Sequence, residues 1–246
     1  MNDIGSMTIG QFLGSGKLPG WTIFAKIWGS RSHNTALETS DEDFLAVYQS
    51  PTRSILSLYP PPETMDNPDG QKPDYQAYEL KKFCGLLLKG NPNIVEMLFT
   101  EKFTYESPEW QELKGHRKDF LTQTCVRQYL GYAEGQLKKL FAHGGEGGLH
   151  TKGGKYSEKW AYHLVRLLWD ARRIAKGEEP IVWKEGEERD RLMDIRFGHT
   201  SPNVVEQMAR ALLAEIEALK PWKLPEEGDG PYLNDWLLRM RKDKYL

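Results

Sequence analysis

The sequence predicts an α+β protein: a small mixed sheet with helices in residues 1–105, followed by a mainly helical part in residues 106–246. Three observations lead there. The run Trp21–Trp28 is dense in aromatic and β-branched residues, which suit a pleated, half-buried strand. Two similar runs, 41–48 and 75–80, follow it and are separated by a long polar crossover. From Lys81 onward the apolar residues recur instead at three- and four-residue steps, the period of a helix.

Taken in order, residues 7–13 predict a short helix ended by Gly14-Ser15-Gly16. The first strand exits at Gly29-Ser30, and 41–48 is the second. Residues 51–58 predict a helix, with Ser50 as its cap and Pro51 in its first turn. Pro60-Pro61-Pro62 through Pro73 is a polar, turn-forming stretch. The third strand, 75–80, is preceded by Asp74. Phe83, Leu86 and Leu87 mark a helix, and Ile94, Met97 and Leu98 mark another beyond the Asn91-Pro92 break. Ser107-Pro108-Glu109 is a helix N-terminus. Apolar periodicity then predicts helices over 121–141, 156–176, 202–219 and 233–240. No internal repeat is present, and no long linker marks the boundary near residue 105.

A hydrophobic content of 39% and eight tryptophans predict a folded globule rather than a disordered chain. Cys84 and Cys125 lack metal-ligand spacing and sit in apolar helical surroundings, as buried thiols of a reducing compartment do. No basic-then-apolar leader and no apolar run of the ~18 residues a membrane span needs is visible, so a cytoplasmic protein is expected. The net charge of −2 is unevenly spread. Residues 138–176 carry Lys138, Lys139, Lys152, Lys155, Lys159, Arg166, Arg172, Arg173 and Lys176 against Glu146, Glu158 and Asp170. Such a run is either a solvated helix face or a surface for phosphates.

The chemistry concentrates where Gly29-Ser30 is followed, after ten residues of loop, by Asp41-Glu42-Asp43. On a strand, Asp41 and Asp43 share one face and Glu42 points away. Two such acids hold divalent cations about 3.5–4 Å apart, the spacing that clamps both ends of an in-line displacement. Magnesium takes one or two carboxylates and lets substrate phosphates complete its shell. Gly29 admits a close phosphate and Ser30 supplies a hydroxyl. Two Gly-rich stretches fail as P-loops: Leu149 and Gln11 stand where glycine is required. The segment 143–155 reads instead as a loop able to close over a substrate.

The run Gly29-Ser30-Arg31-Ser32-His33-Asn34-Thr35-Ala36-Leu37-Glu38-Thr39-Ser40-Asp41-Glu42-Asp43 resembles the signature of the DNA-polymerase-beta-like nucleotidyltransferase superfamily. Tyr78-Glu79-Leu80-Lys81-Lys82-Phe83, Leu88-Lys89-Gly90-Asn91-Pro92-Asn93 with Glu96, and Lys159, His163, Arg166-Leu167-Leu168 narrow the likeness to its RNA-repair subgroup, over roughly residues 20–175. The resemblance implies a small mixed-sheet nucleotidyltransferase core that uses Mg²⁺ or Mn²⁺, a nucleoside triphosphate such as ATP, and an RNA end as acceptor. A protein or small-molecule acceptor, or a non-catalytic nucleotide- or RNA-binding module, are the alternatives. It implies Asp41, Asp43 and a third acid as metal ligands and catalytic groups. Asp74 is the choice for the third, with Glu79 as runner-up. Gly29, Ser30 and Arg31 would bind the nucleotide, as would Lys89 and Asn91 in a turn whose Gly90 and Pro92 equally suit a helix junction. Lys159, His163 and Arg166, at i, i+4 and i+7, would offer one helix face to phosphates.

Overall fold

The computed structural model describes residues 9–67, 73–141 and 156–243. Strands β1 (Trp21–Trp28), β2 (Asp43–Gln49), β3 (Thr64–Asp66), β4 (Tyr75–Glu79) and β5 (Thr104–Glu106) form one sheet in the order β3-β4-β2-β1-β5. The β2–β4 pair is parallel and the other pairs are antiparallel, so the sheet is mixed as expected. A parallel neighbour requires a crossover, and here it carries α2 (Thr52–Ile55) and β3.

The chain divides into two compact units. The first comprises Met1–Leu88, Met97–Arg117 and Asp229–Leu246. It holds the sheet together with α1 (Ile9–Gly14), α3 (Leu80–Leu88), α5 (Pro108–Gly115) and α10 (Gly230–Asp243). The second comprises Lys89–Glu96 and Lys118–Gly228. The expected boundary at residue 105 falls within the first unit. Helix α4 (Pro92–Leu98) begins in the second unit and ends in the first.

One face of the sheet packs Phe44, Ala46 and Tyr48 of β2 with Ala25, Tyr75 and Ala77 around Phe12 of α1. Phe12 and Phe44 stack with centroids 4.7 Å apart. The other face sets Phe24 on Trp110 of α5 at 4.1 Å. Ser107 caps α5, accepting from the Trp110 N–H. Helix α10 closes the unit: Gln49 Nε2 and Thr52 Oγ1 donate to the carbonyls of Met240 and Arg241 at 2.7 and 2.6 Å.

In the second unit α7 (Glu158–Ala175) is the centre, packed by α6 (Gln123–Phe141), α8 (Gly186–Arg196) and α9 (Pro202–Ala218). Twelve of its eighteen residues are buried, the charged Arg166 and Asp170 among them.

Three expectations are corrected. The second strand starts at Asp43 rather than Asp41, because the chain arrives from a turn at 38–39 and joins the sheet only where Phe44 N–H donates to the Asp74 carbonyl. The stretch 60–73 contains β3, paired antiparallel to β4. The helix over 51–58 is only Thr52–Ile55, with Pro51 at its N-cap position and no side-chain cap.

Candidate active site

The Gly-Ser corner forms a 3₁₀ turn, Gly29–His33, directly after β1. Gly29 has φ of 70°, which a side chain would resist, and a β-carbon there would stand 3.6 Å from Asp43 Oδ2. Trp28 pairs with Asp43 across the β1–β2 ladder. The turn and the second acid therefore face each other. The loop between them is drawn back on itself: Ser30 Oγ donates to Ser40 Oγ at 3.3 Å, and Arg31 Nη2 donates to the Ser40 carbonyl at 2.9 Å. The Thr35 N–H donates to the Ser30 carbonyl at 3.0 Å, and Arg31 Nε lies 3.7 Å from Glu42 Oε1. Ser40 also accepts from the Leu37 N–H at 2.9 Å. Sequence reasoning missed Ser40; a serine directly before the acids was its only signal.

Asp74 precedes β4 as Asp43 opens β2. Phe44 pairs with Tyr75 in parallel register, so the two acids stand at the same end of adjacent strands. Asp41 lies two residues before Asp43, in the exposed approach rather than on the strand. The argument that strand alternation places Asp41 and Asp43 on one face therefore does not apply.

Glu79, the runner-up, is five residues beyond Asp74, about 16 Å along the strand at ~3.3 Å per residue. Its carboxylate is buried and already engaged, accepting from Arg241 Nη2 at 2.8 Å on both oxygens, from the Lys81 N–H at 2.9 Å and from the Ser50 N–H. Tyr48, paired with Glu79, has its hydroxyl pushed up to about 12 by burial and by that carboxylate. Glu79 is thus a structural acid.

The remaining candidates lie in the second unit. Lys89 is exposed. Asn91 is half-buried; its Oδ1 accepts from the N–H groups of Asn93 and Ile94, capping α4, and its amide donates to Tyr132 Oη at 3.2 Å. Gly90 has φ of 68°, and a β-carbon there would meet Cys125 Cα at 2.5 Å. The helix-junction reading of this turn is therefore explicit in the contacts.

Lys159, His163 and Arg166 differ sharply in exposure. Lys159 is exposed at the start of α7 and His163 is half-buried. Arg166 is 3% exposed and donates to Glu96 Oε1 at 2.5 Å. Asp170 lies beside it and anchors Lys184 at 2.7 Å and Arg173 at 3.4 Å. The three share one face of α7, but at Arg166 that face is buried against Glu96, so it is not offered whole to phosphates. Burial, then Arg166, Lys159 and Arg196, hold the His163 imidazole down at about 3, so it is neutral. Of the basic run, Arg172 and Lys176 bind Glu215, and Arg173 binds Asp170 and Glu188. Lys138, Lys139 and Lys159 are exposed, and Lys139 sits 5.9 Å from the ring centroid of the part-exposed Trp160. The glycine-rich segment 143–155, with Lys152 and Lys155, lies outside the described residues. Burial pushes both thiols, Cys84 and Cys125, up to about 12, away from the thiolate form that a nucleophile needs.

The Gly-Ser turn thus stands against the Asp43 carboxylate, and Asp43 and Asp74 mark the leading ends of two adjacent parallel strands in a mixed sheet. The chain belongs to the RNA repair pathway DNA polymerase beta family, whose family model matches residues 17–239. It is similar, at 28% identity over 129 residues, to the uncharacterized 38.9 kDa protein in the nrdC-mobD intergenic region of Enterobacteria phage T4. That alignment covers 48% of this chain and 38% of the phage protein, so the chain spans well under half the length of this curated relative. A nucleotidyltransferase-like protein from Exiguobacterium sibiricum 255-15 aligns over 95% of this chain and 77% of its own, at 15% identity and a TM-score of 0.31.

No group of three or more His, Cys, Asp or Glu side chains placed to hold a metal ion occurs among the described residues. The acids present fit a cation that takes one or two carboxylates and completes its shell with phosphates, and they do not form an all-protein cage. No described helix is long and apolar enough to cross a membrane.

Proposed function

We propose that the protein transfers a nucleoside monophosphate from a nucleoside triphosphate to a hydroxyl at an RNA end, without a template. The hydroxyl oxygen bonds to the α-phosphorus, the bond to the bridging oxygen breaks, and pyrophosphate leaves. The observation that carries this is Asp43, set 3.6 Å from where a β-carbon of Gly29 would stand and at the same end of adjacent parallel strands as Asp74, which precedes β4.

Asp41 and Asp43 would hold Mg²⁺ or Mn²⁺, which when bound neutralises charge developing on the transferred phosphoryl group. Asp74 takes the proton of the attacking hydroxyl. Ser30 and the open backbone at Gly29 receive the phosphates, and Arg31 holds the loop that shapes them. Catalysis of this kind is mainly positioning and charge neutralisation, which suits a site built from a pinned loop. RNA is favoured as acceptor by the family and by the exposed Lys138, Lys139, Lys159 and Trp160, which combine phosphate-binding cations with a stacking surface. Lys89 and Lys159 are exposed and would meet the phosphates directly. Asn91, His163 and Arg166 would act by shaping the helices that carry them.

The test incubates the protein with each labelled ribonucleoside triphosphate, Mg²⁺ or Mn²⁺, and RNA. Labelled RNA is expected, and Asp41→Ala, Asp43→Ala and Asp74→Ala should each abolish it while circular dichroism and thermal midpoint hold. Substantial turnover by the Asp41 or Asp43 variant would end the proposal, and binding without transfer in wild type would favour the non-catalytic module.

A further inference from the structure

Phe103 has φ of 57°, in the left-handed region. Asn34 is the other non-glycine residue with positive φ among those described, and asparagine adopts that conformation readily. For a bulky aromatic it is an outlier, and such conformations persist only where the surroundings over-determine them. The segment around Phe103 is fixed in this way. Lys26, a buried lysine in the middle of β1, donates from Nζ to Thr100 Oγ1 at 2.9 Å. Lys114 Nζ donates to the Thr100 carbonyl at 3.3 Å and to Glu106 Oε1 at 2.8 Å. The Arg117 guanidinium lies 5.4 Å from the Phe99 ring centroid. The Phe103 carbonyl accepts from the Ile27 N–H at 3.1 Å.

What these anchors hold in place is a ring that is 51% exposed. Glycine or asparagine would hold this turn with less strain than phenylalanine does. Its place in the sheet gives that ring a use. Phe103 stands opposite Ile27, one residue before Trp28, which pairs with Asp43, and two before the Gly29 turn. Strands β5 and β2 flank β1, so Phe103 is two interstrand spacings, about 10 Å, from Asp43. A nucleotide with its phosphates at the acids reaches that far with its base.

We propose that Phe103 presents its ring for stacking on an unpaired nucleobase at the acidic end of the sheet. The base belongs either to the bound triphosphate or to the terminal nucleotide of the RNA. The proposal rests on the nucleotidyltransferase reading. It adds the residue that recognises the base, with Lys26 and Lys114 as positioning residues that keep the strained segment in place.

The experiment titrates wild type, Phe103→Asn and Phe103→Trp by calorimetry with four ligands in Mg²⁺. These are a ribonucleoside triphosphate, ribose 5-triphosphate lacking a base, an RNA oligonucleotide, and the same oligonucleotide ending in an abasic residue. Asparagine tolerates the backbone, so Phe103→Asn should keep its thermal midpoint at or above that of wild type. It should lose roughly 5- to 150-fold in affinity for the base-bearing ligand, the range for one base stacked on an aromatic ring. Its affinity for the base-less counterpart should be unchanged, and Phe103→Trp should bind like wild type. Loss confined to the triphosphate pair assigns the base to the nucleotide, and loss confined to the RNA pair assigns it to the acceptor. Equal loss on base-bearing and base-less ligands, or loss on neither, overturns the stacking proposal alone. A wild-type protein that binds neither triphosphate nor RNA overturns the nucleotidyltransferase reading and this inference with it.

Discussion

Replacing Arg166 by methionine should destabilise the second unit by about 3–5 kcal/mol, the usual cost of leaving one member of a buried ion pair alone. Arg166 and Glu96 are 3% and 2% exposed, and their 2.5 Å contact ties α4 to α7. Asp170, 3.8 Å from the same guanidinium, keeps Lys184 and Arg173. Glu96 is therefore the group stranded by the change. Domains are typically stable by only ~5–15 kcal/mol, so the loss is a large fraction of the whole. Were Arg166 a surface cation awaiting phosphate, its removal would cost under about 1 kcal/mol of stability and would appear in nucleotide affinity instead. Urea denaturation followed by tryptophan fluorescence separates the two outcomes. A second variant, Glu96→Leu with Arg166→Met, should recover most of the loss, because it removes both charges and fills the space with apolar groups. A single variant within about 1 kcal/mol of wild type that has lost tenfold in triphosphate affinity would refute this reasoning.

Gly90→Ala should cost about 2–5 kcal/mol, from the left-handed backbone and from a β-carbon driven into the Cys125 backbone; a loss below about 1 kcal/mol in urea titration would contradict the geometry. The depressed His163 value has a definite sign. Below the unfolded value of ~6.5 the unfolded chain takes up a proton that the folded chain refuses until about 3, so stability falls as pH drops through that window. At pH 5 the contribution is about 2 kcal/mol, and His163→Gln should show a correspondingly shallower decline; superimposable pH profiles would exclude it. Glu substitutions at Lys138, Lys139 and Lys159 should weaken RNA binding several-fold and flatten its salt dependence, whereas the same change at Arg172, already bound to Glu215, should act mainly on stability. Binding indifferent to salt would remove RNA phosphates from the account.

The strands and long helices were legible because their periods are local properties of the chain. Trp21–Trp28 matched its observed bounds, and α6, α7 and α9 appeared within two residues of the expected ends. Helix α8 was not expected, since its eleven residues, with seven charged, show no apolar stripe and only Leu192 and Ile195 are buried. Strands β3 and β5 are three residues each, too short to carry a pattern, and exist because a neighbouring strand offers hydrogen bonds. The candidate site divides in the same way. The Gly-Ser turn and its acids are close in sequence and were readable there. That Glu79 belongs to Arg241, and Arg166 to Glu96, depends on side chains 162 and 70 residues apart, which no spacing rule reveals.

The return of α10 to the sheet has a consequence for the order of assembly on the ribosome. The second unit needs nothing beyond Gly228, whereas the first recruits Asp229–Leu246 to a sheet whose last strand ends at Glu106. Glu79 is synthesised 162 residues before Arg241, an interval of about 8–30 s at ~5–20 residues per second. Throughout that interval its carboxylate lacks the cation that accompanies its burial, and Gln49 lacks the carbonyl of Met240. The helical unit, though later in the sequence for most of its length, is therefore the first whose residues have all been synthesised.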